Sequence, residues 1–279
     1  MKVRNLIVVL LIILTILGLI IPAIGKVQSA ANGMLCQSNM RQIVIACHNH
    51  HNDWSCWPIA TVSESHLAPN KRLSWLTRIC PAYMEGGWEL LLDKTRAWDD
   101  ETNCPPRCRN WREKGGPSTM ELVGNLKMFF CPGNPTRNGP AIPCPTHYVG
   151  IAGLGADAAE LPLADRRCGL FGYDRRVSMQ DIKDGTSTTL ALSEVLDGGP
   201  WTAGGRATVR GLVVGEHPYL GEGGQFTSTH RTAFFLGTRP DVNVAFADCS
   251  VRRLTATMSP QVFEALATIA GGEPVEQLP

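Results

Sequence analysis

The chain has 279 residues, a formal net charge of +1 and a hydrophobic share of 44%. That balance holds no basic patch or stripe, which argues against a nucleic-acid partner, and it supplies enough apolar side chains for one large folded unit or two small ones. Ten cysteines, with no C-x-x-C pair and no zinc-ribbon spacing, point to an oxidising compartment and several disulfides.

Lys2 and Arg4 precede an apolar run from Leu6 to Ile24, broken only by Thr15, Gly18 and Pro22. As a helix the run measures about 28 Å, enough to cross a hydrocarbon core with little tilt. A cleaved signal peptide is the rival reading, with Ser29-Ala30-Ala31 as its cleavage site, but signal apolar regions are shorter, about 7–15 residues. The two basic residues have no acidic neighbours, so the N-terminus is expected in the cytoplasm and the remainder outside it. Beyond the run, Val27, Ala31, Met34, Leu35, Ile43 and Cys47 recur mostly at three- or four-residue steps between polar residues, the spacing of an amphipathic helix that ends before Pro58. The expected layout is a cytoplasmic 1–5, a membrane segment 6–24, a helical continuation 25–52 and a head of residues 53–279.

In the head, Gly and Pro are frequent enough to favour loops and strands over a bundle. Segments 72–76, 127–131, 147–152, 169–173 and 189–195 read as strands, and 242–248 with 250–254 as a tight hairpin. Asp99 to Gly116 reads as a surface insertion. Ser259-Pro260 starts a short C-terminal helix and Gly271-Gly272 ends it. The fold class is therefore α+β: a long N-terminal helix serving as the spine of a head with an antiparallel sheet, plus a short terminal helix.

Candidate chemistry is sparse. Cys47, His48 and His51 lie near the end of the long helix, and Cys47 and His51 are four apart as helical metal ligands can be, but no further ligand completes the set in sequence. Polar contacts from the helix end to the head explain these residues without a metal. Asp184-Gly185-Thr-Ser reads as a turn, since calcium needs six to eight oxygens and no EF-hand pattern is present. Glu194 reads as a solvated strand end or ion-pair partner, with a lone carboxylate ligand as the less economical reading. Six of the seven tryptophans fall in the first half, where a sugar platform competes with ordinary burial. No Gly-x-Ser-x-Gly, His-Glu-x-x-His, Walker loop or paired-glycine fingerprint occurs, so no enzyme, cofactor or resident metal is expected. Cys104 with Cys108 and Cys131 with Cys144 each bound a short Pro-rich loop and are the expected local disulfides.

Ordered blocks along the chain carry a resemblance: Cys36-Gln-Ser-Asn-Met-Arg-Gln-Ile, Ala46-Cys-His-Asn-His-His, Phe130-Cys-Pro-Gly-Asn, Tyr148-Val-Gly-Ile-Ala-Gly, Gly169-Leu-Phe-Gly-Tyr-Asp, Ile182-Lys-Asp-Gly-Thr-Ser-Thr-Thr-Leu and Val244-Ala-Phe-Ala-Asp-Cys-Ser-Val-Arg. With these the chain resembles a family of pilin-like (pseudopilin-like) proteins of unknown function, abundant in planctomycete bacteria and sometimes catalogued as extracellular solute-binding. The resemblance implies a pilin-like fold and membrane anchoring, and no established activity. It also marks departures. The Gly-Phe-Thr-Leu-x-Glu processing motif is absent before the apolar run, so prepilin peptidase is not expected to act. Cys168 and Cys249 (the latter in the turn Asp248-Cys249) stand where the family usually carries small residues; a bridge between these two cysteines would explain both, and the alternative is two independent changes with one thiol simply buried. The role implied is a single-pass inner-membrane protein with an extracytoplasmic head, working through protein partners in an envelope or secretion-type assembly. The alternative is a solute- or carbohydrate-binding module whose ligand the sequence does not name.

Overall fold

The computed structural model of the protein describes residues 3–62, 66–83, 92–103, 126–134, 145–234 and 237–272. Its dominant element is α1, Val3–Trp54, 52 residues and about 78 Å long. The two halves of α1 differ in what surrounds them. From Ile7 to Ile20 the large apolar side chains are exposed, and the helix from Ile7 onward holds a window long and apolar enough to cross a membrane. From Gly33 onward one face is buried: Gly33, Cys36, Met40, Ile43, Val44, Cys47 and His50. Ile43 and Cys47 of the apolar set expected from sequence lie on this face, but the earlier members of that set do not. Val27, Met34 and Leu35, expected to face the head, are exposed. The spacing rule registers apolar residues on either side, and here both sides carry them. Ser55, at φ 54°, ends the helix by donating its N–H to the His51 carbonyl.

A short helix α2, Trp75–Tyr83, follows. Strands β1 (Tyr148–Leu154), β2 (Leu190–Glu194), β3 (Val209–Leu212), β4 (Arg231–Phe234), β5 (Gly237–Phe246) and β6 (Val251–Thr255) form one sheet, and α3 (Pro260–Ala267) closes the described fold. The path through the sheet is β3-β1-β2-β5-β4, with β6 also paired to β5. The pairs are antiparallel except β1 with β3. Every residue of β2 is buried, as is all of β1 but its last residue, because the sheet is covered on both faces. One face packs Tyr148, Ala191 and Ala245 with Met40, Ile43 and Cys47 of α1 and with Trp57, Trp75 and Phe171. The other packs Val149, Ile151, Val242, Val244 and Phe246 with Phe263 and Leu266 of α3. Each such large side chain contributes about 1.5–3 kcal/mol of burial.

The expected strands at 147–152 and 189–195 and the hairpin of 242–248 with 250–254 correspond to β1, β2, β5 and β6. Three other expected strands do not form. In 72–76, Leu73 and Ser74 make single bridges to Ala203 and Thr61 before α2 begins at Trp75. Residues 126–129 form one 3-10 turn. Segment 169–173 runs beside β1, with Gly169 and Phe171 donating to Ala152 and Ile151, but its own carbonyls turn to the Arg175 guanidinium rather than to another strand. Helix α3 ends at Ala267, four residues short of the glycines that were expected to stop it. Residues 104–116 of the expected insertion lie outside the described residues.

Candidate functional site

The side chains that converge in the head come from four distant segments. Cys36 lies on the buried face of α1, Cys131 follows the 126–129 turn, Glu194 ends β2, and His230 precedes β4. All four are buried, and their ligand-type atoms lie within 4.8 Å of one another. The Cys36 and Cys131 sulfurs are 3.0 Å apart. His230 Nε2 is 3.2 Å from Cys36 Sγ, 3.3 Å from Cys131 Sγ and 3.3 Å from Glu194 Oε1.

Neighbouring groups hold each member in place. Glu194 Oε2 accepts from the backbone N–H and side-chain amide of Asn243 at 3.0 and 3.1 Å. Gln37, the residue after Cys36, donates in turn to Asn243 Oδ1. Glu194 Oε1 points at His230 but forms no well-aligned hydrogen bond. The Cys131 N–H donates to His147 Nδ1 at 2.9 Å, and burial holds that imidazole down at about 4, so it stays a neutral acceptor. Two glycines leave space beside the cluster, Gly33 for Arg253 and Gly133 for the Thr229–His230 segment. A Cβ on Gly33 would meet Arg253 Nη2 at 2.5 Å, and one on Gly133 would meet Thr229 Oγ1 at 3.0 Å and His230 Cε1 at 3.3 Å.

The cluster polarises itself strongly. Cys36 is pushed up, first by the hydrogen bond it donates to Cys131 and then by burial. The same hydrogen bond pulls Cys131 down to about 5, against burial. Burial acts to lower His230, but its contacts with Cys131 and Glu194 outweigh that and raise it to about 10. Burial acts to raise Glu194, and His230 and Asn243 outweigh it, leaving the carboxyl below its ordinary range. Two thiols, an imidazole and a carboxylate in a dry pocket are the donor types of a tetrahedral metal centre.

Of the residues singled out from sequence, Cys131 and Glu194 belong to this cluster and the others lie elsewhere. His48 Nε2 meets the Ala247 carbonyl at 2.7 Å, His51 Nε2 accepts the Met179 N–H at 3.3 Å, and Cys47 is buried in the core, its thiol pushed up by burial and then by Cys249. These contacts join the end of α1 to the head. Asp184 does not close its own turn; its carboxylate accepts the Gly271 and Gly272 N–H groups at 2.8 and 3.1 Å, tying down the chain after α3. Gly185 (φ 95°) makes the turn that Thr188 closes through the Gly185 carbonyl. Asp248 closes the β5–β6 turn by accepting from Ser250, with Cys249 at φ 68°. Glu194, read as a solvated strand end or an ion-pair partner, is 2% exposed and lies 3.3 Å from His230 Nε2, so the second reading fits and the first does not. The expected cysteine bridges are corrected as follows. Cys131 carries a free thiol whose sulfur turns inward to Cys36 and His230, and its expected partner Cys144 lies outside the described residues. Cys168 and Cys249 are also free, since Cys168 Sγ faces the Leu163 carbonyl while Cys249 lies beside Cys47. Cys104, Cys108 and Cys144 lie outside the described residues.

The fold and its site define an α+β head carried on a long apolar helix, with a buried Cys-Cys-His-Glu cluster where helix and sheet meet. The chain belongs to the family described as Protein of unknown function (DUF1559), also named SBP_bac_10, whose model matches residues 26–231. All four cluster residues fall inside that match. No curated protein and no solved structure matches the chain.

Proposed function

We propose that the protein is a pseudopilin-like interaction subunit of the bacterial envelope: a single-pass anchor with its N-terminus in the cytoplasm and a non-enzymatic head outside. The observation that carries this reading is the division of α1, exposed and apolar over Ile7–Ile20 and built into the core of the head from Gly33. A helix shared in this way holds the head at a fixed distance from a membrane. Val27, Met34, Leu35 and Ile45 leave an apolar stripe on the outward side of α1, a surface suited to packing against another helix. The lack of basic charge in excess is compatible with a protein partner.

A glycan- or solute-binding head is less well supported. Trp57, Trp75 and Trp201 are buried in the core rather than set out as a platform, and among the described residues Trp54 is the strongly exposed one. Two grooves among the described residues, of about 350 and 390 Å³, lie beside His217–Leu220 and beside Leu161–Leu163. Neither groove draws in the buried cluster.

Protease treatment of spheroplasts tests the reading. Digestion of the head with survival of a short membrane-bound stub is the expected outcome, together with an intact Met1 or an unprocessed N-terminus. A mature, soluble periplasmic protein beginning near Asn32 would refute it.

A further inference from the structure

We propose that Cys36, Cys131, Glu194 and His230 form a closed structural zinc site that fastens the stem helix α1 to the sheet of the head. Zinc binds thiolate at about 2.3 Å and imidazole or carboxylate at about 2.0–2.2 Å, so the edges of its tetrahedron are about 3.3–3.8 Å. Four of the six edges here measure 3.0 to 3.3 Å, namely sulfur to sulfur, His230 Nε2 to each sulfur and Nε2 to Glu194 Oε1, and the two sulfur–carboxylate edges lie within 4.8 Å. Outward movement of a few tenths of an ångström opens the centre to a zinc ion.

Three further features support a metal. The donor set is selective: two soft sulfurs favour zinc, and one carboxylate supplies too few oxygens for calcium or magnesium. The supporting groups suit a first shell, since Asn243 holds Oε2 and leaves Oε1 aimed at the centre. Four protein donors and full burial leave no open position for water or substrate, which is the form of a structural site rather than a catalytic one.

The rival is a Cys36–Cys131 disulfide. It needs the sulfurs at about 2.05 Å and uses neither His230 nor Glu194. It would leave the buried imidazole with Glu194 Oε1 at 3.3 Å as its partner, while Nε2 stays in contact with two sulfurs of an uncharged bridge that it does not bind. A metal gives each of the four atoms a partner. The inference stands on these distances and does not depend on the envelope role proposed above, so either can fail alone.

The test uses the full chain, purified in detergent from its native membrane without reductant or chelator. Elemental analysis should find one zinc per chain. After exchange, Co²⁺ should give the intense visible bands of a tetrahedral ion and a thiolate-to-cobalt charge-transfer band in the near ultraviolet. Cys36→Ser should remove most of the charge-transfer intensity. Glu194→Gln, close in shape and less prone to unfold the chain, should weaken zinc binding at least about 10-fold. Cys249→Ser, outside the cluster, should change neither readout. Peptide mapping that finds Cys36 and Cys131 bridged in this protein would overturn the proposal. So would failure of the reduced wild-type chain to bind Zn²⁺ or to give tetrahedral Co²⁺ bands.

Discussion

Replacing Arg175 should unfold the head more readily than any surface change of similar size. Its side chain is 7% exposed and makes no ion pair among the described residues. Instead Nη1 donates to the Ala158 and Leu161 carbonyls at 3.1 and 2.6 Å, and Nη2 to those of Ala152, Gly169 and Phe171 at 3.2, 3.0 and 2.6 Å. Ala152 and Ala158 accept other backbone N–H groups as well. The carbonyls of Leu161, Gly169 and Phe171 depend on the arginine. Arg175→Met would leave these three without a donor, at about 1–3 kcal/mol each. Water entering at the exposed rim would trim the total to about 3–5 kcal/mol, a large part of the 5–15 kcal/mol that usually separates folded from unfolded chains. At roughly 2–4 °C per kcal/mol for a head of this size, Tm should fall by about 6–20 °C. Arg175→Lys should recover only part of this, because one compact ammonium cannot span carbonyls from separate segments as the planar fork does. Thermal unfolding of the full chain in detergent, followed by tryptophan fluorescence, reports directly, since Trp57 and Trp75 both pack on Phe171. A lysine variant as stable as wild type, or a methionine variant within about 1 kcal/mol of it, would show that the carbonyls do not need the fork.

Gly150→Ala should cost about 1–3 kcal/mol by overpacking, because its Cβ would come within 2.7 Å of the Phe171 ring; combining it with Phe171→Leu should recover stability beyond additivity, and strictly additive urea midpoints would contradict the contact. At the β5–β6 turn, Cys249→Gly should exceed Cys249→Ala in stability by about 1 kcal/mol, since φ is 68° there; equal midpoints would mean that the turn relaxes. If the zinc proposal holds, stripping the metal with a chelator should lower Tm reversibly and added Zn²⁺ should restore it, whereas no change would mean the ion does not fasten the fold.

What could be read in the sequence followed local physics. The apolar run, β1, β2 and the β5–β6 hairpin are set by side-chain spacing and by turn residues such as Asp248 that act within a few positions. The long helix was legible, but not which face it buries, because α1 carries apolar residues on opposite sides and only the sheet chooses between them. Segment 169–173 has strand-like composition, yet its carbonyls are taken by Arg175, a partner that strand propensity does not encode. The cluster was hidden for a related reason. Cys36 and Cys131 are 95 residues apart, and His230 lies 99 beyond Cys131, so no ligand spacing exists to be recognised. Two of its members did stand inside the resemblance blocks, at Cys36 and in Phe130-Cys-Pro-Gly-Asn, and that was the usable signal.

The partners of α1 also set the order in which the head can be completed during synthesis. The stem leaves the ribosome first, but part of what receives it comes last: Gln37 meets Asn243 206 residues later, and His48 meets Ala247 199 residues later. Loops of that length must close before those contacts contribute, which makes for slow folding. Through most of translation α1 therefore has the cover of Trp57, Trp75 and Phe129 but lacks that of β5. A nascent head of this design would stay vulnerable to aggregation and proteolysis until β5 and β6 emerge, and nonsense mutations even close to the C-terminus should leave α1 with an incomplete head.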